Sequence, residues 1–369
     1  MNAATKQEEK SPDIILLLVT LILVTVGTVM IYSSSSIIAL EKFGDSRFFL
    51  KKQIVFVFLG MLLMVLITKV PYEHLKKMAY PGLLLAIVLL VLVLIPGMGL
   101  KRGGATRWLN VGGLSFQVTE MVKIAMVLFL AHFWARKTNQ IKIFHRGVLF
   151  PLLVFLLVIF LVLLEPDFGA AVIIAAILLF MLCISGARIR HMLFLILMFL
   201  PAGVLLILFK GYRMARLTAF LDPWKDASNT GFQIIQSFLS FGAGGTFGVG
   251  IGDGMQKLFY LPEPHTDFIL SIIAEESGFI GVTIVIIMFA LFVVRGFMIA
   301  LKAPDLFGTL LAAGLTLIVA LQSFVNIAGV MGLIPLKGLV LPFLSYGGTA
   351  LLMSMTSVGI LLNISSHTA

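Results

Sequence analysis

Ten apolar runs, most of them near the length of a bilayer crossing, decide what this chain can become. They cover residues 14–31, 54–67, 83–95, 118–134, 148–164, 170–184, 192–209, 267–294, 306–330 and 339–362. A helix rises about 1.5 Å per residue and the hydrocarbon layer is about 30 Å thick, so about 20 residues make a span. Several runs are shorter and must borrow flanking residues. The 369 residues are 60% hydrophobic and only 12% charged, with a mean hydropathy of +1.10. That composition lies outside the range of soluble globular proteins. The chain therefore reads as an all-α polytopic membrane protein of about ten transmembrane helices, a single membrane domain over 1–369. An even number of spans puts both termini on one side.

The first run follows a short polar tail, residues 1–13. It is too long for a secretory signal and lacks a cleavage site after it, so it reads as a retained helix. Cys183 is the single cysteine and lies in the sixth run; no intrachain disulfide and no cysteine-ligated metal site can form. The net charge of +10 suits contact with anionic lipid headgroups or with a substrate bearing phosphates. Orientation is not decided by charge. With a cytoplasmic amino terminus, thirteen Lys and Arg fall on each side and Lys123 lies within the fourth run, so the positive-inside rule casts no net vote.

Eight of the nine connections are short. The exception, residues 210–266 between the seventh and eighth runs, is long enough to expect function, and it reads as one large extracytoplasmic loop. "LTAFLDPWKD" mixes aromatic, proline and charged residues as an interfacial segment does, and "GFQIIQSFLSF" has the spacing of a short amphipathic helix. "FGAGGTFGVGIGDG" follows, with Gly248, Gly250, Gly252 and Gly254 at alternate positions. In an extended chain these leave one face bare, so another backbone or a ligand can approach closely; a hinge is the plainer alternative. It lacks the Gly-Lys-Ser/Thr ending of a phosphate loop.

Charges inside apolar runs are costly and need a reason. Glu120 and Lys123, three apart, share a helix face; they form either a structural ion pair or a cation held ready for an anion. Glu165 and Asp167 flank Pro166 between the fifth and sixth runs, where a turn and a helix cap explain them. Glu263, His265, Thr266 and Asp267 crowd the entrance of the eighth run. One cap needs one side chain, and Thr266 or Asp267 can supply it. The alternative for Asp267 is a general base beside cations that hold an anionic leaving group. Glu276 lies about 180° around the helix from Asp267 and Glu275 about 80°, so neither forms a catalytic dyad with it; hydrogen bonding between helices or pairing with a buried cation fits them better.

Six stretches together resemble the SEDS family (shape, elongation, division and sporulation), polytopic peptidoglycan glycosyltransferases typified by FtsW and RodA. They are "LPEPHTDFILSIIAEESGFIG" (261–281), "GATRWLNVGGLSFQVTEMVK" (104–123), "EPDFG" (165–169), "YRMARLTAFLDPW" (212–224), "GFQIIQS" (231–237) and "LPFLSYGG" (341–348). Lys337 in "KGLVLPFLSYGG" resembles the cell-division branch, since the elongation branch usually lacks that lysine. Two departures stand out. The family commonly has Pro-Ser-Glu where this chain has Val118-Thr119-Glu120, and Arg-Gln where it has Lys52-Gln53; the second loses the two-pronged guanidinium.

The resemblance implies lipid II as substrate, a disaccharide-pentapeptide joined by a diphosphate to a polyprenyl tail. It implies inverting glycosyl transfer: Asp267 takes the proton of an acceptor sugar 4-hydroxyl, and undecaprenyl diphosphate leaves. Arg107, Lys123, Arg213, Arg216 and Lys257 would steady that charge, with Glu120 orienting Lys123; Lys52, Glu263, His265 and Lys337 complete the expected substrate contacts. A lipid II flippase, an elongation-type polymerase and a non-catalytic scaffold are the rival readings. No cofactor is assigned, and a divalent cation is left open. Expected partners are the lipid-linked glycan strand, a class B penicillin-binding protein acting as transpeptidase and other division proteins, with no nucleic acid. The implied location is the bacterial inner membrane, with both termini cytoplasmic and the site facing outward.

Overall fold

The computed structural model of the protein describes residues 11–102, 105–112, 114–209, 211–258, 261 and 264–367. The helices are α1 (Ile14–Phe43), α2 (Phe48–Thr68), α3 (Leu75–Leu94), α4 (Val118–Arg136), α5 (Leu149–Leu164), α6 (Phe168–Ile184), α7 (Ile189–Leu208), α8 (Gly211–Leu221), α9 (Phe232–Gly244), α10 (Ile269–Lys302), α11 (Leu306–Val330) and α12 (Gly348–Ser366). Ten of them coincide with the ten apolar runs. Among the described residues nine helices are long and apolar enough to cross a membrane, and α6 is apolar but shorter. The other two, α8 and α9, lie in the long connection after α7.

The helix ends follow from local chemistry. Asp13 caps α1 by accepting the Leu16 amide at 2.9 Å, and Gly44 closes it in the left-handed conformation. The helix runs twelve residues past its apolar run because Ser34 and Ser35 turn their hydroxyls back to the carbonyls of Met30 and Ile31, at 2.7 and 2.6 Å; polar side chains satisfied this way do not interrupt a helix. The opposite correction applies to the last run. Residues 331–347 stay irregular and α12 starts only at Gly348, because Pro342 disfavours helix at Leu341 and Ser345 Oγ accepts the Leu341 amide at 2.8 Å while donating to the Thr266 carbonyl at 2.5 Å.

Between α3 and α4 lies an element not expected from the sequence: a three-stranded antiparallel sheet of β1 (Gly99–Arg102), β2 (Ala105–Val111) and β3 (Leu114–Gln117) in that order. Trp108 pairs with Gln117 and Asn110 with Ser115. β3 runs straight into α4, and the Gln117 amide donates to Thr349 Oγ1 at 3.1 Å, which pins the sheet to the start of α12.

α4, α11 and α12 form the buried centre. α7 lies at the edge, with only His191 and Leu195 buried. Both described ends of the chain meet at one end of the bundle, where the Asp13 amide donates to Ser365 Oγ at 2.9 Å and Asp13 pairs with Arg295. The sheet, the 165–167 turn, the long connection and residues 331–347 gather at the opposite end.

α10 is two helices in series. Gly278, at φ 64 and ψ −164, breaks it, leaving a short first half of residues 269–277 that begins two residues after Asp267. A break inside a span must have its backbone groups satisfied by protein, and the glycine segment does this. Val249 and Gly250 donate to the carbonyls of Glu275 and Glu276 at 3.0 and 3.1 Å, while Phe279 and Ile280 donate to those of Gly245 and Thr246 at 2.9 and 3.2 Å. A Cβ on Gly248 would lie 2.2 Å from the Glu276 carbonyl oxygen. The bare face of the glycine segment thus serves the approach of another backbone.

Candidate functional site

At the end of the bundle opposite the termini, a cavity of about 70 Å³ is lined by Arg216, Gln233, Asp267, Phe268, Val325, Asn326 and residues 336–339. Five elements meet there: α8, α9, the entrance of α10, the end of α11 and the loop after it. Asp267 is half-buried. It is not the helix cap, since the cap position of α10 falls on Phe268, which makes no side-chain cap bond. A Cβ on Gly338 would lie 3.0 Å from Asp267 Oδ2, so the glycine, held at φ +61, keeps space beside the carboxylate.

Two cations line the cavity with that carboxylate. Arg216 is anchored by a 3.4 Å bond from Nη1 to the Leu336 carbonyl. Lys337 lies 5.3 Å over the ring of Phe168, and burial pulls its pKa below the ordinary lysine value. Arg213, buried, lies 4.8 Å over the same ring and donates to the Leu206 carbonyl at 2.8 Å. Phe168, the first residue of α6, thus carries one cation that lines the cavity and one behind it.

The turn before Phe168 is held by Arg107 on β2, which donates to the carbonyls of Glu165 at 3.2 Å and Pro166 at 2.7 Å and lies 3.8 Å from Asp167 Oδ2. Asp167 caps α6 by accepting the Ala170 amide at 3.0 Å. Arg107 therefore acts on the backbone of this turn and lies outside the cavity lining. Glu165 is fully buried and neither carboxyl oxygen has a hydrogen-bond partner. Burial, reinforced by the Asp167 charge and opposed by Arg107, raises its pKa from 4.5 to about 8. The folded protein keeps a proton there that the unfolded chain releases above 4.5. Stability should accordingly fall as pH rises from about 4.5 to about 8 and then level off. Glu165→Gln should raise the thermal midpoint in detergent at pH 8 and leave it nearly unchanged at pH 4.5, as followed by differential scanning fluorimetry.

Glu120 and Lys123 form a buried pair at 2.7 Å. Gln322 on α11 reaches both Glu120 oxygens at 3.4 Å. One turn further along α11, Asn326 lines the cavity. The pair braces α4 against α11 directly behind the site, and Lys123 itself does not line it.

Lys257 is a correction to the expected set of phosphate contacts. Its three ammonium hydrogens face Glu276 Oε1 at 2.6 Å, the Gly252 carbonyl at 2.6 Å and Ser33 Oγ at 3.1 Å, and an ammonium has no more to give. Glu275 accepts the amides of Met255 and Gln256 at 2.7 and 3.2 Å. The two glutamates together hold the glycine segment to the first half of α10. His265 is also displaced from a substrate-facing role: it is buried between Phe49 and Tyr346, with ring centroids at 4.5 and 5.7 Å, and burial lowers its pKa to about 4, so it is neutral at physiological pH. Lys52 is exposed and lies 4.2 Å over the Phe48 ring, away from the cavity lining. Glu263 lies outside the described residues. Among the described residues no three His, Cys, Asp or Glu side chains gather as metal ligands would.

Residues 13–369 match the family described as "Cell cycle protein", which groups FtsW, RodA and SpoVE. The chain belongs to the SEDS family. It is 46% identical over 356 residues to a probable peptidoglycan glycosyltransferase FtsW of Geobacter sp. strain M18, covering 96% of this chain and 97% of that protein. Stage V sporulation protein E of Bacillus subtilis is 43% identical over 360 residues, covering 98% of each. Among solved structures, a chain of a peptidoglycan synthase complex studied for its coordination of polymerization and crosslinking superposes with a TM-score of 0.78 at 30% identity, covering 96% and 97%.

In this SEDS protein the sequence singled out Asp267, Arg216 and Lys337, and the fold brings all three to one cavity. It did not single out Asn326 or Phe168. Asn326 carried a usable signal, because Gln322 and Asn326 are amides four apart in an otherwise apolar run, on one helix face. Phe168 carried none, since an aromatic at a helix start has many ordinary uses.

Proposed function

We propose that this SEDS protein is a peptidoglycan glycosyltransferase that joins lipid II units into glycan strands, with Asp267 as general base. The observation that carries the reading is the meeting of one carboxylate and two cations, Asp267 with Arg216 and Lys337, in a single cavity, in a chain 46% identical to a probable peptidoglycan glycosyltransferase. Asp267 takes the proton from the acceptor 4-hydroxyl as that oxygen bonds to the anomeric carbon of the donor. The anomeric carbon's bond to the diphosphate oxygen breaks, and undecaprenyl diphosphate departs with the electron pair. Arg216 and Lys337 face the charge that develops, and Arg213 packs on the Phe168 ring that also carries Lys337. Arg107 and the Glu120–Lys123 pair hold the elements that carry these groups.

A cavity of about 70 Å³ has room for a few waters and not for a sugar ring. Substrate entry therefore requires α8, α9 or the 336–339 loop to move. The site faces outward, both termini are cytoplasmic, and the membrane is the bacterial inner membrane; the lipid tail lies between helices and the sugars at the headgroup level. Septal division is the role favoured by the resemblance to FtsW. A transpeptidase of the class B penicillin-binding type is the expected companion, since a similar chain comes from a peptidoglycan synthase complex studied for its coordination of polymerization and crosslinking.

The test is a gel assay of purified protein with labelled lipid II, run with and without a divalent cation and the transpeptidase partner. Polymer of increasing length is the expected product. Transport of lipid II across vesicles without any polymer would instead support the flippase reading.

A further inference from the structure

Asn326 is the one cavity-lining side chain whose hydrogen bonding is both fixed and incomplete. It is 5% exposed, on the last turn but one of α11. Its Nδ2 donates to two carbonyls, Asp267 at 3.0 Å and Leu339 at 2.5 Å. These acceptors use both amide hydrogens and so determine which way the amide faces; flipped, it would set its oxygen against two carbonyl oxygens. The side chain therefore ties the backbone of the reactive aspartate to the loop that carries Lys337. Its Oδ1 is buried and has no partner. A buried acceptor left unpaired costs about 1–3 kcal/mol, and the two bonds made by the amide hydrogens do not relieve it.

The chemistry around Oδ1 specifies what completes it. It accepts only. The other polar side chains of the cavity are the Asp267 carboxylate, the Gln233 amide and two cations placed against Leu336 and Phe168, and none of them donates to Oδ1. A molecule that enters the cavity can supply the donor. The acceptor sugar brings such donors beside its reacting 4-hydroxyl, namely the hydroxyls at its 3 and 6 positions.

We propose that Asn326 is a substrate-positioning residue: its Oδ1 accepts a hydrogen bond from a hydroxyl flanking the reacting one on the acceptor sugar, while its amide hydrogens fix the backbone of Asp267. One side chain then registers the sugar against the base. This rests on the polymerase reading above. A site that hydrogen-bonds a substrate hydroxyl discriminates against an analogue lacking it, because the buried partner is left unpaired.

The test is a cycle between residue and substrate. Purified wild type, Asn326→Ala and Asn326→Leu are compared for kcat/KM on lipid II and on analogues lacking the 3- or the 6-hydroxyl of the terminal sugar. Wild type should lose about tenfold with one of the two analogues, the scale of a single neutral hydrogen bond in a desolvated site. Both variants should be slower on lipid II and should treat that analogue and lipid II alike. Asn326→Asp, which keeps acceptor oxygens and loses the amide hydrogens, should be slow yet still discriminate. Equal use of all three substrates by wild type overturns the proposal, as does discrimination that persists in the Ala and Leu variants. Asp267→Asn is assayed beside them. If it polymerises normally the base assignment fails, and the cycle at Asn326 is still read on its own terms.

Discussion

Asp267→Asn should reduce polymer formation by the purified protein by about a thousandfold, within the range that removal of a general base produces, while lipid II binding changes by less than about threefold, as expected where the interaction lost is made only in the transition state. The separation of the two effects follows from the geometry. Asn fills the same space beside Gly338 and leaves the main-chain carbonyl that Asn326 holds. The cap position of α10 belongs to Phe268, so the helix does not need the carboxylate as its cap. Arg216 and Lys337 remain in place to meet the diphosphate. What is lost is the ability to take a proton. Filter binding or fluorescence polarisation with labelled lipid II, run beside the gel assay, measures both quantities on one preparation. A variant that loses binding and polymer together would recast Asp267 as a binding group.

Lys257→Met should be the most destabilising of the substitutions considered, by about 3–5 kcal/mol, because it strands the buried carboxylate of Glu276. That residue is 1% exposed, and after the change only Ser33 would face its carboxylate, at 2.6 and 2.8 Å. Glu276→Gln combined with Lys257→Met removes both charges and should recover most of the loss. The pair matters because it holds the glycine segment to the first half of α10, and Asp267 lies two residues before that half. Thermal unfolding in detergent gives the ordering: wild type, then the double variant, then Lys257→Met well below. Equal midpoints for the single and double variants would mean that the buried charge is reached by water.

The spans were legible because apolar length is a direct physical requirement of the bilayer. The serines at 33–36 read as the end of a helix, yet Ser34 and Ser35 bond back along it, Ser33 donates to Glu276, and α1 continues to Phe43. The run from 339 reads as one span, yet the tie between Ser345 and the Thr266 carbonyl keeps its first part irregular. The small sheet escaped notice because its strands are short and their partners are each other; pairing is not written in any single strand. The alternate glycines did announce a close approach. Which backbone approaches could not be read, because the break at Gly278 lies inside a single long run, 267–294. At the site, Asp267 stood out as a charge at the entrance of an apolar run, while Arg216, Lys337 and Lys257 were expected from the resemblance. Lys257 proved to be the partner of Glu276; charge marks a residue that needs a partner and does not say whether the partner is protein or substrate.

The central claim is that the reacting hydroxyl meets the Asp267 carboxylate in the cavity shared with Arg216 and Lys337. It is tested most directly by a solved structure of the Asp267→Asn protein with lipid II bound. The account predicts the 4-hydroxyl of a terminal sugar within hydrogen-bond distance of the residue 267 side chain, and a diphosphate against Arg216 and Lys337. Sugars lodged at the opposite end of the bundle, beside the Asp13–Arg295 pair, or a residue 267 side chain facing away from every bound sugar, would contradict it.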